Sequence, residues 1–144
     1  MRRHRTAFGI GWTALTIAQF ACSGGGDMVP LPGTLPLGSW GGDSAGMTVT
    51  DSGMHVQIAC TYGDVTGTVP IAADGSFDVA GSYMLHAYPI ALLPADPAQF
   101  HGYANGSAVT ITVVVDDTAQ HQSVTRGPVT LRLDGTPHWG PCPL

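Results

Sequence analysis

The chain reads as an all-β protein, a small antiparallel up-and-down β-barrel of about seven or eight strands. Three observations predict it. The 144 residues include 20 glycines and 11 prolines but no lysine and no glutamate. With threonine and valine abundant and strong helix formers scarce, that is the composition of short strands joined by tight turns. Apolar and polar residues alternate at period two in segment after segment. The turns between them are short, which favours a meander over Greek-key crossings, and a meander that closes on itself removes its sheet edges. A β-sandwich is the alternative.

The first 21 residues stand apart from that pattern. Arg2, Arg3 and Arg5 precede an uncharged run from Thr6 to Ala21. A basic start followed by an apolar stretch is the layout of a secretory signal peptide. The run holds Gly9, Gly11, Thr13, Thr16 and Gln19, which makes it too short and polar for a membrane span of about 20 apolar residues. Gln19-Phe20-Ala21-Cys22 resembles the lipobox of bacterial lipoproteins in its last two residues, although Gln19 departs from the usual aliphatic. That resemblance implies a lipid on Cys22. Cleavage after Ser23 is the alternative and leaves no anchor. Ser23-Gly24-Gly25-Gly26 then suits a flexible tether, and residues 22–39 read as a linker, first glycine-flexible and then proline-stiffened. The barrel is expected over residues 40–144.

Three cysteines in an exported chain leave one odd. With Cys22 lipidated, Cys60 and Cys142 remain, and an oxidising envelope makes them a disulfide by default. Two cysteines without CxxC spacing do not form a zinc site. All ten acidic residues are aspartates and all five basic residues are arginines, three of them in the leader. The exported part is strongly acidic, which argues against nucleic acid as a partner. The aspartates themselves suit turns.

The strands follow in order. Met47 and Val49 share a face opposite Thr48 and Thr50, and Asp51-Ser52-Gly53 turns the chain. Met54, Val56, Ile58 and Cys60 face in, with His55 and Gln57 out. Tyr62-Gly63-Asp64 is expected to turn again. Val65, Val69 and Ile71 come next, then the hairpin signal Asp74-Gly75. Phe77, Val79, Gly81, Tyr83 and Leu85 repeat at period two. His86–Pro97, with three prolines and an apolar IALL, reads as a long loop or short helix over one barrel end. Strands resume at Ala98–Ala104, and Asn105-Gly106 signals a type I′ turn. Val109, Ile111, Val113 and Val115 form one face, Asp116–Ser123 a polar loop, and Val129, Leu131 and Leu133 the last inner face. Pro137–Leu144 closes the chain.

Gly38-Ser39-Trp40, just before the first of these strands, resembles the G-x-W signature of the lipocalin and avidin group of barrels. That resemblance implies that Trp40 plugs one barrel end, with Arg132 or Arg126 packed over it as a cation–π contact. More broadly, WGGD, the strand pair ending at Cys60, DGSFDVAGSY and a final cysteine look like small secreted bacterial envelope proteins. That wider resemblance implies no activity.

The chemistry-bearing motifs are few. Gly42-Asp43-Ser44-Ala45-Gly46 has the GxSxG pattern of a nucleophile elbow, but an elbow needs a helix after the serine, and here a strand follows. His86 and His101 flank the proline-rich segment; with Asp43 or Asp96 they are the weak metal candidates, though no HxH or HExxH pair exists. Asp116 and Asp117 are adjacent and point to opposite faces. Tyr83, Tyr103, Leu92 and Leu93 are the candidate lining of a cavity, if the interior is open; a small barrel is more often filled by its own side chains. No catalytic residue and no cofactor are expected. The expected protein is an exported, lipid-anchored, monomeric envelope module without catalytic activity. Its alternatives are a carrier of a small apolar ligand, a protein-binding module using Ile90–Leu93, and a hydrolase acting through Ser44 or a metal.

Overall fold

Alternation along eight strands closes one antiparallel barrel. A computed structural model describes residues 33–85 and 94–142. Readings that fall on the leader, Cys22, His86, Leu92, Leu93 and Ile90 lie outside the described residues. The barrel strands are β2 (Gly38–Gly42), β3 (Ala45–Val49), β4 (Gly53–Ile58), β5 (Thr61–Thr66), β7 (Ser76–Met84), β8 (Asp96–Asn105), β9 (Ala108–Asp117) and β10 (Gln122–Leu133). They pair in chain order, and β10 returns to β2 through Arg132↔Gly41 and Leu133↔Trp40. The seam is those two pairs, and along the rest of its length β10 pairs with β9 alone.

The period-two faces become the interior. Val109, Ile111, Val113 and Val115 are buried on β9, as are Met54, Val56 and Ile58 on β4 and Phe100 on β8. Trp40, Tyr83 and Leu131 join the same core. The apolar face is inside and the polar face outside, the reverse of an outer-membrane barrel. A two-stranded sheet of β1 (Gly33–Thr34) and β6 (Pro70–Ile71) covers one end. There Leu35, Val69 and Ile71 are buried, and the Leu35 N–H donates to Val69 O at 2.8 Å. The 33–39 segment, expected as linker, is therefore part of the fold, and Trp40 sits within β2 rather than before the first strand.

Several local expectations shift for identifiable reasons. Tyr62-Gly63-Asp64 is not a turn but the middle of β5. The turn lies at Ala59-Cys60, with Ala59 at φ 51°. Gly63 is glycine because an added Cβ would lie 2.4 Å from the Tyr83 ring and 2.8 Å from Phe100. The hairpin after β8 turns at Gly106-Ser107, because Asn105 pairs with Ala108. Gly106 alone has positive φ there, which is the type II′ arrangement and not I′. Strand β8 starts two residues earlier than expected, at Asp96, and β9 runs on through Asp117. Asp74-Gly75 turns as expected. Asp74 Oδ1 accepts from the Ser76 hydroxyl at 2.6 Å and the Ser76 N–H at 2.9 Å, and those bonds hold its carboxyl below the usual carboxylate range.

Candidate functional site

After β10 the chain turns back at Asp134, whose N–H donates to Ser39 O at 2.8 Å. It then runs along the outside of β2 and β3. Two glycines make room. An added Cβ at Gly41 would meet the Gly135 backbone at 2.4 Å, and one at Gly46 would meet Trp139 Cζ2 at 3.0 Å and Pro137 Cβ at 3.2 Å. Backbone bonds hold the tail at its middle: Ser44 N–H donates to His138 O at 2.8 Å, and His138 N–H to Gly42 O at 3.1 Å. The Cys60–Cys142 disulfide holds its end, bridging 82 positions with Cα atoms 5.6 Å apart. Cys60 itself lies in the β4–β5 turn and not on a strand.

Pinned in this way, Trp139 stays 48% exposed beside the barrel wall. The register assembles the surface next to it. Ser39, Thr48, His55 and Asp64 are successive cross-strand partners on β2 to β5, and all four are exposed. A second row runs Gly41, Gly46, Gln57, Tyr62. Trp139 stands over Gly46, so Gln57 and then Tyr62 lie beside it on the next strands. A recess of about 280 Å³ opens here, walled by Trp139 and Pro137 on one side and by Gln57, Thr48, His55 and Ser39 on the other.

The polar groups in the recess are oriented. His55 Nδ1 is 2.7 Å from Asp64 Oδ1. A carboxylate only accepts, so Nδ1 is the donor and Nε2 is left for another partner. The imidazole lies against Tyr62, with ring centroids 5.6 Å apart. Gln57 Nε2 donates to Ala59 O at 3.1 Å, which points the amide and leaves its carbonyl oxygen as an acceptor. Trp139 Nε1–H donates to none of the described residues. Periodicity places His55 and Gln57 on the outside, yet the role of this face depends on a tail that follows it by some eighty residues. Nothing local in the sequence brings Trp139 beside Ser39, Thr48 and Gln57.

The residues singled out in the sequence are distributed differently. Tyr83 faces in and is fully buried, 6.2 Å from Phe100 between ring centroids. Thr61 Oγ1 donates to Ile58 O at 2.9 Å and lies 2.8 Å from Tyr83 Oη. With its one proton spent on Ile58, Thr61 accepts from the phenol. Burial pushes the Tyr83 phenol above its ordinary range, against the Thr61 bond and the nearby Arg126 charge. Tyr103 is on the outer face, 48% exposed, and does not line the interior. Trp40 is buried, and its Nε1–H donates to Pro36 O at 3.3 Å. Arg132 does not cover it. Between the inward Leu131 and Leu133 it is exposed on the opposite face, and Leu133 holds the place beside Trp40. Arg126 pairs with the inward Val113 and acts on Tyr83 instead.

The tail also brings His138 to Asp43 and Ser44. Asp43 Oδ1 and His138 Nδ1 are 3.7 Å apart and both side chains are largely exposed. That is beyond hydrogen-bond distance, so the carboxylate does not orient the imidazole as a serine nucleophile requires. Ser44 sits in a strand-to-strand turn at φ 57°, not in the strand-to-helix elbow. His101 pairs with Asp78 at 3.1 Å, not with Asp43 or Asp96, and Gln99 bonds the same carboxylate. Among the described residues no three His, Cys or Asp side chains form a metal-binding group.

Comparison with family models, with curated proteins and with solved structures finds no match.

Proposed function

We propose that this chain is an exported binding module of the bacterial envelope, held to a membrane by lipid on Cys22, that takes its ligand on the outer wall of the barrel. One observation carries the choice of wall. The interior is occupied by its own side chains, from Trp40 and Met47 to Phe100 and Val115, whereas the recess under Trp139 combines a fixed aromatic ring with oriented polar groups. Small-molecule sites pair apolar and aromatic surface with a few placed polar groups in this way. The disulfide suits an oxidising compartment, and a barrel with its polar face outward suits a domain standing in water beside a membrane.

Two measurements test this reading. Clickable palmitate fed to a bacterial host producing the full chain is expected to label wild type and not Cys22→Ser; an unlabelled wild type ends the anchor. Oleate titrated into the purified barrel is expected to leave Trp40 emission unchanged in a Trp139→Phe background. A saturable change there would put a ligand inside the barrel and overturn the outer-wall reading.

A further inference from the structure

We infer that the recess beside Trp139 binds a neutral saccharide unit, an inference that rests on the outer-wall reading above. The chemistry of the surface selects the class. Gln57 Oε1 is an acceptor, Trp139 Nε1–H is a donor, and the hydroxyls of Ser39 and Thr48 serve as either. Such a mixed set in a small area matches a ligand whose every hydroxyl both donates and accepts. Trp139 supplies the rest. It stands over β3 and is 48% exposed. Its ring offers apolar surface beside hydrogen-bonding groups, and the C–H face of a sugar ring lies against an aromatic ring while its edge hydroxyls reach polar neighbours.

Competing ligand classes fit less well. Phosphate and sulfate need cations, yet the chain has no lysine, and the two barrel arginines lie elsewhere, Arg126 facing in and Arg132 at the β10–β2 seam. An acyl chain wants a recess lined throughout by apolar groups, while this one has a polar ladder for a wall. The ligand's place in the recess is also supported by rigidity. Trp139 is fixed between the His138 backbone bonds and the Cys142 disulfide, so little ordering is lost on binding.

The test uses the mature chain with its disulfide intact. Cellotetraose, maltotetraose, chitotetraose and mannotetraose are titrated separately at millimolar concentrations, followed by Trp139 emission and by backbone amide shifts. At least one neutral oligosaccharide is expected to shift the amides of Thr48, His55 and Gln57 saturably. Trp139→Ala is expected to weaken that binding about tenfold or more, and Gln57→Ala, a surface change that leaves the tail in place, severalfold. If no oligosaccharide binds, or if both variants bind as tightly as wild type, the saccharide inference is overturned. A library of small aromatic, peptide-like and acidic fragments separates the two levels. Fragments that shift this recess where sugars do not leave the outer-wall reading standing and end the saccharide class. Shifts confined to inward residues such as Val113 and Phe100 end both.

Discussion

The indole of Trp139 lies over Gly46, so close that a Cβ there would lie 3.0 Å from Cζ2 and 3.1 Å from Cη2. All three atoms nearest that position belong to side chains of the tail, not to the barrel. A side chain at Gly46 therefore has one direction in which to find room, by pushing the tail outward. Gly46→Val is expected to keep the barrel at a cost of about 1–3 kcal/mol, while making Trp139 more accessible. Iodide quenching of a Trp40→Phe background reads this directly. Unchanged quenching would mean that Gly46 does not set the position of the ring.

Gly63 behaves oppositely, because its neighbours cannot move. A Cβ there would lie 2.4 Å from Tyr83 Cδ2, 2.7 Å from the backbone oxygen of Ser82 and 2.8 Å from Phe100 Cζ. The first and last are packed in the core and the second is sheet backbone. Gly63→Ala is expected to cost about 3 kcal/mol, the upper part of the range for overpacked cores, read as a lower urea midpoint. A midpoint within error of wild type would show that Tyr83 and Phe100 have slack.

These two glycines show how far the sequence is legible. Period two revealed the inner faces of β4, β7, β9 and β10, since each such position is buried or half-buried whatever its partner. A glycine carries no periodicity of its own. Gly63 beside an aspartate looks like a turn, and only the rings of Tyr83 and Phe100, brought over it by β7 and β8, explain it. Leu35 looks like linker for a related reason: its burial depends on β6, more than thirty residues away. The recess was the least legible feature. Its residues come from β2, β3, β4 and the tail, and cross-strand register, which no local pattern encodes, is what lines them up.

Ser44 and Ala59 meet across neighbouring turns, Ala59 N–H donating to Ser44 O at 2.6 Å, and both hold positive φ, 57° and 51°. A residue with a Cβ pays about 1–2 kcal/mol for that conformation, which glycine avoids at some entropic cost. Ala59→Gly is therefore expected to raise stability by about 0.5–1 kcal/mol. The check is a melting temperature under oxidising conditions, so that the adjacent Cys60 stays bridged; a decrease would contradict the backbone account.

Tyr83 makes a pH-dependent prediction. Burial raises its phenol above the unfolded value of 10.0. As pH climbs through 10 the unfolded chain loses this proton first, so it binds fewer protons than the folded chain. Stability then falls with rising pH until the folded group titrates. No lysine titrates in the same window. Tyr83→Phe loses the bond to Thr61, about 1 kcal/mol at pH 7, but also loses this alkaline slope. The two stability curves are expected to converge between pH 9 and pH 11, by the linkage relation, at roughly constant ionic strength. Parallel curves would place the titration of Tyr83 elsewhere.

Cys142→Ser joins the fold to the recess. The bridge closes a loop spanning 82 positions, for which the chain-entropy relation gives about 4–5 kcal/mol of stabilisation. The closed β10–β2 seam, the covered end and the continuous core do not involve the tail, so the barrel is expected to form without the bridge at a lower melting temperature. The tail has less to hold it. Beyond His138 it has no further backbone bond to the barrel among the described residues, and Trp139 then stands on a free end. Acrylamide quenching of Trp139 is expected to rise in the variant, and equally in wild type treated with a reducing phosphine, while Trp40 stays protected. A reduced protein whose Trp139 remains as shielded as before would show that the contact with Gly46, and not the disulfide, fixes the wall of the recess.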